Sequence, residues 1–150
     1  MPVVYIRSEA LRYHRLTAVV SSRIKPNYAE AILAGKKTIE FRKISFPKRV
    51  GTMVLYATSP VKKIVGVVKV GAVVVLSPAG AWRRYRKRGA IDRRDFNAYY
   101  AGSKKAVCLE IGEARRLDPP IDPHQIIEYF RAPQSFRYLP AACPFIFSRP

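Results

Sequence analysis

Lys37, Thr38, Glu40 and Arg42 are the residues best placed to do chemistry. They fall in one short run, Gly35-Lys36-Lys37-Thr38-Ile39-Glu40-Phe41-Arg42. A carboxylate between two cations orients both side chains and can take part in proton transfer. Arginine can grip a phosphate or a base edge with two parallel N–H groups, whereas lysine acts as a point charge. Residues 38–44 alternate, with Ile39 and Phe41 apolar and Glu40 and Arg42 polar. The alternation predicts a half-buried strand: the apolar pair enters a core, and Thr38, Glu40 and Arg42 share the face turned to a groove. Lys37 sits in the preceding turn, where strand parity does not bind, and can swing to the same side. Taken alone, the pattern also fits an ordinary Glu40–Arg42 salt bridge on a solvated strand.

The surroundings of this motif are unusual. Glu40 is the last acid before Asp92, and the 51 residues between them hold 12 Lys or Arg. The whole chain of 150 residues carries a net charge of +18. Such a charge repels itself unless an anion offsets it, and nucleic acid is the first candidate. An anionic membrane surface ranks second and an acidic protein third. The densest basic segment is Trp82-Arg83-Arg84-Tyr85-Arg86-Lys87-Arg88, with no carboxylate expected in reach. On a helix, Trp82 and Tyr85 share a face and the cations fan around the rest. Phosphate contacts are expected there, with base stacking by either aromatic much less favoured. Lys48-Arg49, Lys62-Lys63, Arg93-Arg94, Lys104-Lys105 and Arg115-Arg116 add dispersed pairs that exceed the needs of one nucleotide pocket.

The elements that must position these groups are legible in outline. Val3–Ile6 and Thr17–Val20 read as short strands. Pro26 opens a helix, which Gly35 ends in the left-handed position. Strands are expected at 53–57, at Ile64–Leu76 with bulges at Gly66 and Gly71, and at Ala106–Leu117. Residues 80–88 read as a helix stopping at Gly89. Asp92 caps a second helix that Gly102 ends. Pro119-Pro120 reads as a turn, and a short helix is expected from Pro123 to Phe130. The Pro- and aromatic-rich residues 131–150, with Phe145, Phe147 and Arg149, are expected to wrap the surface. The order predicts an α+β fold, a small mixed β-barrel decorated by about three short helices.

Several function classes drop out. Two cysteines, Cys108 and Cys143, make no disulfide framework, and with His14 and His124 they form no zinc spacing. No metal and no cofactor are expected. Arg7, Glu9, Arg12 and Arg15 interrupt any signal-peptide core, and Ile64–Leu76 is too short to span a bilayer. The expectation is a cytoplasmic protein with no membrane partner. Cys108, in an apolar strand, reads as core rather than as half of a Cys–His nucleophile pair.

Gly35-x-Lys37-x-x-Glu40-x-Arg42 resembles the signature of the ASCH domain, a branch of the PUA-like β-barrel superfamily. The run from Lys25-Pro26 through the motif resembles that family's opening helix and strand. Val54 to Val70, centred on Tyr56-Ala57-Thr58-Ser59-Pro60, resembles the next two strands. Pro133 to Leu139 resembles a closing segment. The resemblance covers about residues 20–140. It implies a PUA-like barrel, a cleft lined by the motif, and RNA or a nucleoside as ligand. Some small ASCH proteins are N4-acetylcytidine amidohydrolases using a lysine, a threonine and a glutamate. By resemblance the lysine is Lys37. The threonine position falls on Glu40, with Thr38 two residues earlier. The glutamate role falls to Asp92 or a later acid. Other ASCH proteins are described as ribonucleases.

The expectation is thus one domain over residues 1–150, with a core at about 20–140, that binds RNA. Lys37, Glu40 and Arg42 would line the cleft, and Lys62, Lys63, Arg83, Arg84, Arg86, Lys87 and Arg88 would meet phosphates outside it. The RNA would be rRNA or tRNA, in a ribosome or another ribonucleoprotein. The first alternative is an enzyme, amidohydrolase or ribonuclease, using the Lys37/Glu40/Arg42 cleft, with Lys37, Glu40 and Thr38 as the catalytic candidates. The second is a DNA-binding regulator whose two helices at 80–102 imitate a helix-turn-helix.

Overall fold

Valine and isoleucine crowd the central stretches of this chain, and β-branched side chains fit a pleated sheet covered on both faces. The computed structural model describes residues 18–125, 127 and 129–139. The strand expected at Val3–Ile6 and the tail residues Cys143, Phe145, Phe147 and Arg149 lie outside the described residues. The elements are β1 (Ala18–Ile24), α1 (Pro26–Leu33), β2 (Ile39–Arg42), β3 (Val50–Ala57), β4 (Lys63–Leu76), α2 (Pro78–Tyr85), α3 (Arg93–Tyr100), β5 (Ala106–Ile121) and β6 (Phe136–Tyr138). One six-stranded sheet runs in the order β2-β5-β4-β3-β1-β6. Among the described strands only the β1–β3 pair is parallel. Among the described residues the sheet curls into a half-barrel carrying three helices, an α+β fold.

Strand parity sorts the side chains into three cores. Met53, Leu55, Val68, Val70, Val107 and Leu109 face inward against Ala29 and Ile32 of α1. Ile39, Phe41 and Cys108 face the other way, under Ala81, Tyr85, Phe96 and Tyr100 of α2 and α3. Val54, Tyr56, Ile64 and Val67 lie beneath Phe130. Covering on both sides explains why every residue of β3 is buried.

The same cause corrects the expected half-buried strand at 38–44. β2 is four residues long and buried on both faces, because α2 and α3 cover Ile39 and Phe41 while Glu40 and Arg42 close the inside of the curl. α2 starts two residues earlier than expected, since Ser77 accepts from the Gly80 N–H at 3.1 Å and Pro78 suits the first turn. It ends at Tyr85, so Arg86, Lys87 and Arg88 form a turn, not helix. β5 runs on to Ile121, overriding the expected turn at Pro119-Pro120. Ile121 still pairs with Ile64, and the register shift before Gly66 absorbs the residues between. The expected helix from Pro123 to Phe130 is a single 3-10 turn at Pro123–Gln125, and Tyr129 adopts a left-handed φ of 54° that no helix tolerates. Within the expected surface tail, Phe136–Tyr138 instead adds to the sheet beside β1.

Gly35 does stand in the left-handed region, at φ 75°, and Gly102 likewise ends α3. Register shifts fall at Gly66 and around Gly71.

Candidate functional site

The end of α1 delivers Lys37. The amides of Lys36 and Lys37 both donate to the Ala31 carbonyl, at 2.9 and 3.0 Å, and the turn at Gly35 throws the Lys37 side chain inward. Lys37 is 2% exposed, Glu40 6% and Arg42 8%. Lys37 Nζ lies 3.4 Å from Glu40 Oε2, and Arg42 Nε lies 3.3 Å from Glu40 Oε1. The three residues therefore form one buried charge row. Lys37 Nζ also donates to the Gly89 carbonyl at 2.5 Å and packs over the rings of Tyr28 and Phe41. Burial pushes the Lys37 ammonium below the ordinary lysine range, and Glu40 opposes that shift.

Gly89 is part of this geometry. A Cβ there would stand 2.3 Å from Phe41 Cε2. The absent side chain lets residues 88–89 press on the β2 edge, where the Arg88 carbonyl accepts from the amides of Thr38 and Ile39 at 2.9 and 3.2 Å.

Arg42 lines the cleft and is also tied to the protein's own acceptors. It lies on β2, one edge of the sheet, and reaches across to the other edge. NH1 donates to the Ser135 carbonyl and Oγ, both at 3.4 Å, and NH2 donates to the Arg23 carbonyl at 3.0 Å and to Ser22 Oγ. Nε faces Glu40 as an ion pair without hydrogen-bond alignment. A guanidinium has five N–H donors, and all of them face protein. Arg42 thus bridges the two edges of the half-barrel. Tyr100 OH donates to the Arg42 carbonyl at 2.8 Å and secures it from α3.

A cleft of about 330 Å³ opens beside this row. Its lining includes Arg23, Lys25, Tyr28, Lys37, Glu40, Phe41, Arg42, Asp95 and Tyr99. Thr38, expected on the same face, is not among these residues. It precedes the strand, and its hydroxyl accepts from Arg88 Nε at 3.0 Å on the outer side. Asp95 supplies a carboxylate from α3. Tyr28 and Tyr99 were missed by sequence reasoning, as were Arg23, Lys25 and Asp95. Asp95 reads in sequence as part of a cap, and indeed its amide binds the Asp92 carboxylate at 2.7 Å. Burial, and for Tyr28 the nearby carboxylates, push both tyrosine hydroxyls above the ordinary range. Lys43 Nζ stands 5.0 Å over the Tyr99 ring at the rim.

The outer basic segment is built as an exposed face. Arg83, Arg84, Arg86, Lys87 and Arg88 are all exposed, while Tyr85 is buried and Trp82 packs on Phe96 at 5.1 Å. Neither aromatic is turned outward for stacking. One expectation fails in three dimensions: a carboxylate does reach this segment, since Glu110 of β5 lies 3.7 Å from Arg88. Lys62 and Lys63 are exposed at the turn into β4. Among the described residues, no group of three metal-type ligands forms. No described helix is long and apolar enough to cross a membrane.

The fold meets its counterpart in comparisons with known proteins. The family model of the ASCH domain matches residues 23–121, and the chain belongs to this family. An ASCH domain-containing ribonuclease of Zymomonas mobilis is 33% identical over 129 residues, covering 83% of this chain and 85% of that protein. The crystal structure of an ASCH protein from Zymomonas mobilis is similar with a TM-score of 0.79 at 27% identity, over 84% of this chain and 90% of that one. A large ribosomal subunit protein uL22 of Ureaplasma parvum is 32% identical over 106 residues, which span 69% of this chain but 33% of that protein's length.

Proposed function

We propose that this protein binds RNA, with phosphates held by exposed cations outside the cleft and a nucleotide admitted to the cleft itself. The carrying observation is the contrast between engaged and available charge. Lys37 and Arg42 are buried on the protein's own acceptors, whereas Arg83, Arg84, Arg86 and Lys87 face solvent. A field of this kind attracts a polyanion and releases its counterions on binding. The cleft suits a smaller task, since its lining of Tyr28, Phe41 and Tyr99 can pack on a planar base while Lys37 and Glu40 meet polar edges. Likeness to a protein named as a ribonuclease supports RNA over other polyanions. A ribosome or another ribonucleoprotein is a home consistent with the dispersed cations, with rRNA or tRNA as the strand bound. The test is competition between structured RNA and duplex DNA for the purified protein, with the nucleic acid that co-purifies after gentle lysis identified. Preference for RNA supports the reading, and preference for duplex DNA contradicts it.

A second reading has its own support: the cleft cleaves RNA. Lys37, with its lowered pKa, lies beside a carboxylate, the pairing that general acid–base chemistry uses. Glu40 would take the proton of a ribose 2′-hydroxyl as its oxygen attacks the adjacent phosphorus, and Lys37 would give a proton to the departing 5′-oxygen. Products ending in a 2′,3′-cyclic phosphate, lost on Lys37→Ala, support this reading. The acetylcytidine hydrolase reading gains less, because Thr38 stands outside the cleft.

A further inference from the structure

Tyr129 is the most exposed of the described large apolar and aromatic side chains, at 87%. Its φ of 54° lies in the left-handed region, which is costly for a side chain of this bulk. Phe130, next in the chain, does the opposite. It is buried against Tyr56, with ring centroids 5.2 Å apart, and touches His124 at 5.4 Å. The backbone is thus anchored at residue 130 and turns the preceding ring outward.

Cations gather at this end of the sheet. Lys62, also left-handed at φ 50°, and Lys63 are exposed at the start of β4, and Arg131 is exposed two residues beyond Tyr129. The pairing of Ile64 with Ile121 sets Lys63 near Asp122, which already holds His124 at 2.9 Å. The region adjoins the cleft through two backbone bonds. Thr58 N donates to the Ile24 carbonyl and Arg23 N donates to the Ser135 carbonyl, each at 2.9 Å, and both Arg23 and Ile24 line the cleft.

We propose that Tyr129, Lys62, Lys63 and Arg131 form a second RNA subsite, where one base stacks on the tyrosine ring and flanking phosphates meet the cations. The inference rests on the RNA-binding reading above and extends it to a strand leaving the cleft over Arg23. A lone exposed ring among cations suits a base better than a protein partner, which needs a contiguous apolar patch.

Fluorescence anisotropy with single-stranded RNAs of about three and about twelve nucleotides tests this, the longer one being able to span both subsites. Tyr129→Ala should weaken the longer RNA about 5- to 100-fold and leave the shorter one unchanged. Tyr129→Phe, which keeps a ring face, should restore the affinity. Equal binding of the longer RNA by Tyr129→Ala and the parent, or equal weakening for both lengths, overturns the subsite. If the parent protein binds neither RNA at low salt, the RNA-binding reading falls and takes the subsite with it.

Discussion

Two basic regions of this molecule use the same residue types in opposite ways. In the cleft row, Lys37 and Arg42 are buried, and their donors face Glu40, Gly89, Ser22, Arg23 and Ser135. Along residues 83–87 the cations stand in solvent, and Arg84 merely rests 5.1 Å over the Tyr85 ring. A net charge counted along a chain does not distinguish these cases. Burial separates them: a buried cation must find its acceptors within the protein, while an exposed one is left for a ligand. The row sets architecture and local chemistry, and the outer face sets long-range attraction.

Removing the shared acceptor should break the comparison most strongly. Glu40→Ala leaves two buried cations without their carboxylate and should cost about 3–5 kcal/mol of stability in a denaturant titration. A loss under about 1 kcal/mol would mean that solvent already screens the row. Next comes Gly89→Ala, whose methyl meets Phe41 Cε2 at 2.3 Å. It should cost about 1–3 kcal/mol, with partial relief in the double variant carrying Phe41→Leu. Arg84→Glu together with Lys87→Glu is expected to act in the reverse sense. Stability should stay within about 0.5 kcal/mol, while RNA affinity falls alike for all sequences, as measured by filter binding.

The smallest effect concerns pH. The folded protein holds the Lys37 proton less tightly than the unfolded chain, because burial lowers its pKa below the ordinary 10.5. Stability attributable to Lys37 is therefore lowest where both states are protonated. It rises with pH from the lowered folded value up to the unfolded one. Urea titrations at stepped pH should show the parent gaining on Lys37→Met across that window. A flat difference would show that Lys37 titrates normally, and a falling one that folding raises its pKa instead.

How much of this was legible in the sequence follows from the range of the interactions. Local signals held well: Gly35 in the left-handed turn, Asp92 as a cap, and the bulges at Gly66 and Gly71 in β4. Alternation correctly put Ile39 and Phe41 opposite Glu40 and Arg42. What alternation cannot show is what covers each face. β2 was therefore expected to be half-buried and Arg42 to face an open groove, whereas its NH1 turns to Ser135 and its NH2 to Ser22 and Arg23. Thr38 stands one residue before the strand, where parity no longer binds, and its hydroxyl accepts from Arg88. Tyr28 and Tyr99 carry no sequence motif. They enter the cleft because α1 and α3 converge there through tertiary packing.

The dependence of RNA affinity on salt tests most directly whether the outer cations do the binding. For single-stranded RNA, log affinity should fall with log salt at a slope of roughly −0.7 per phosphate contact, summing over several contacts. The Arg84→Glu and Lys87→Glu double variant should show a shallower slope than the parent. A slope near zero in the parent, or one unchanged in the variant, would contradict the account.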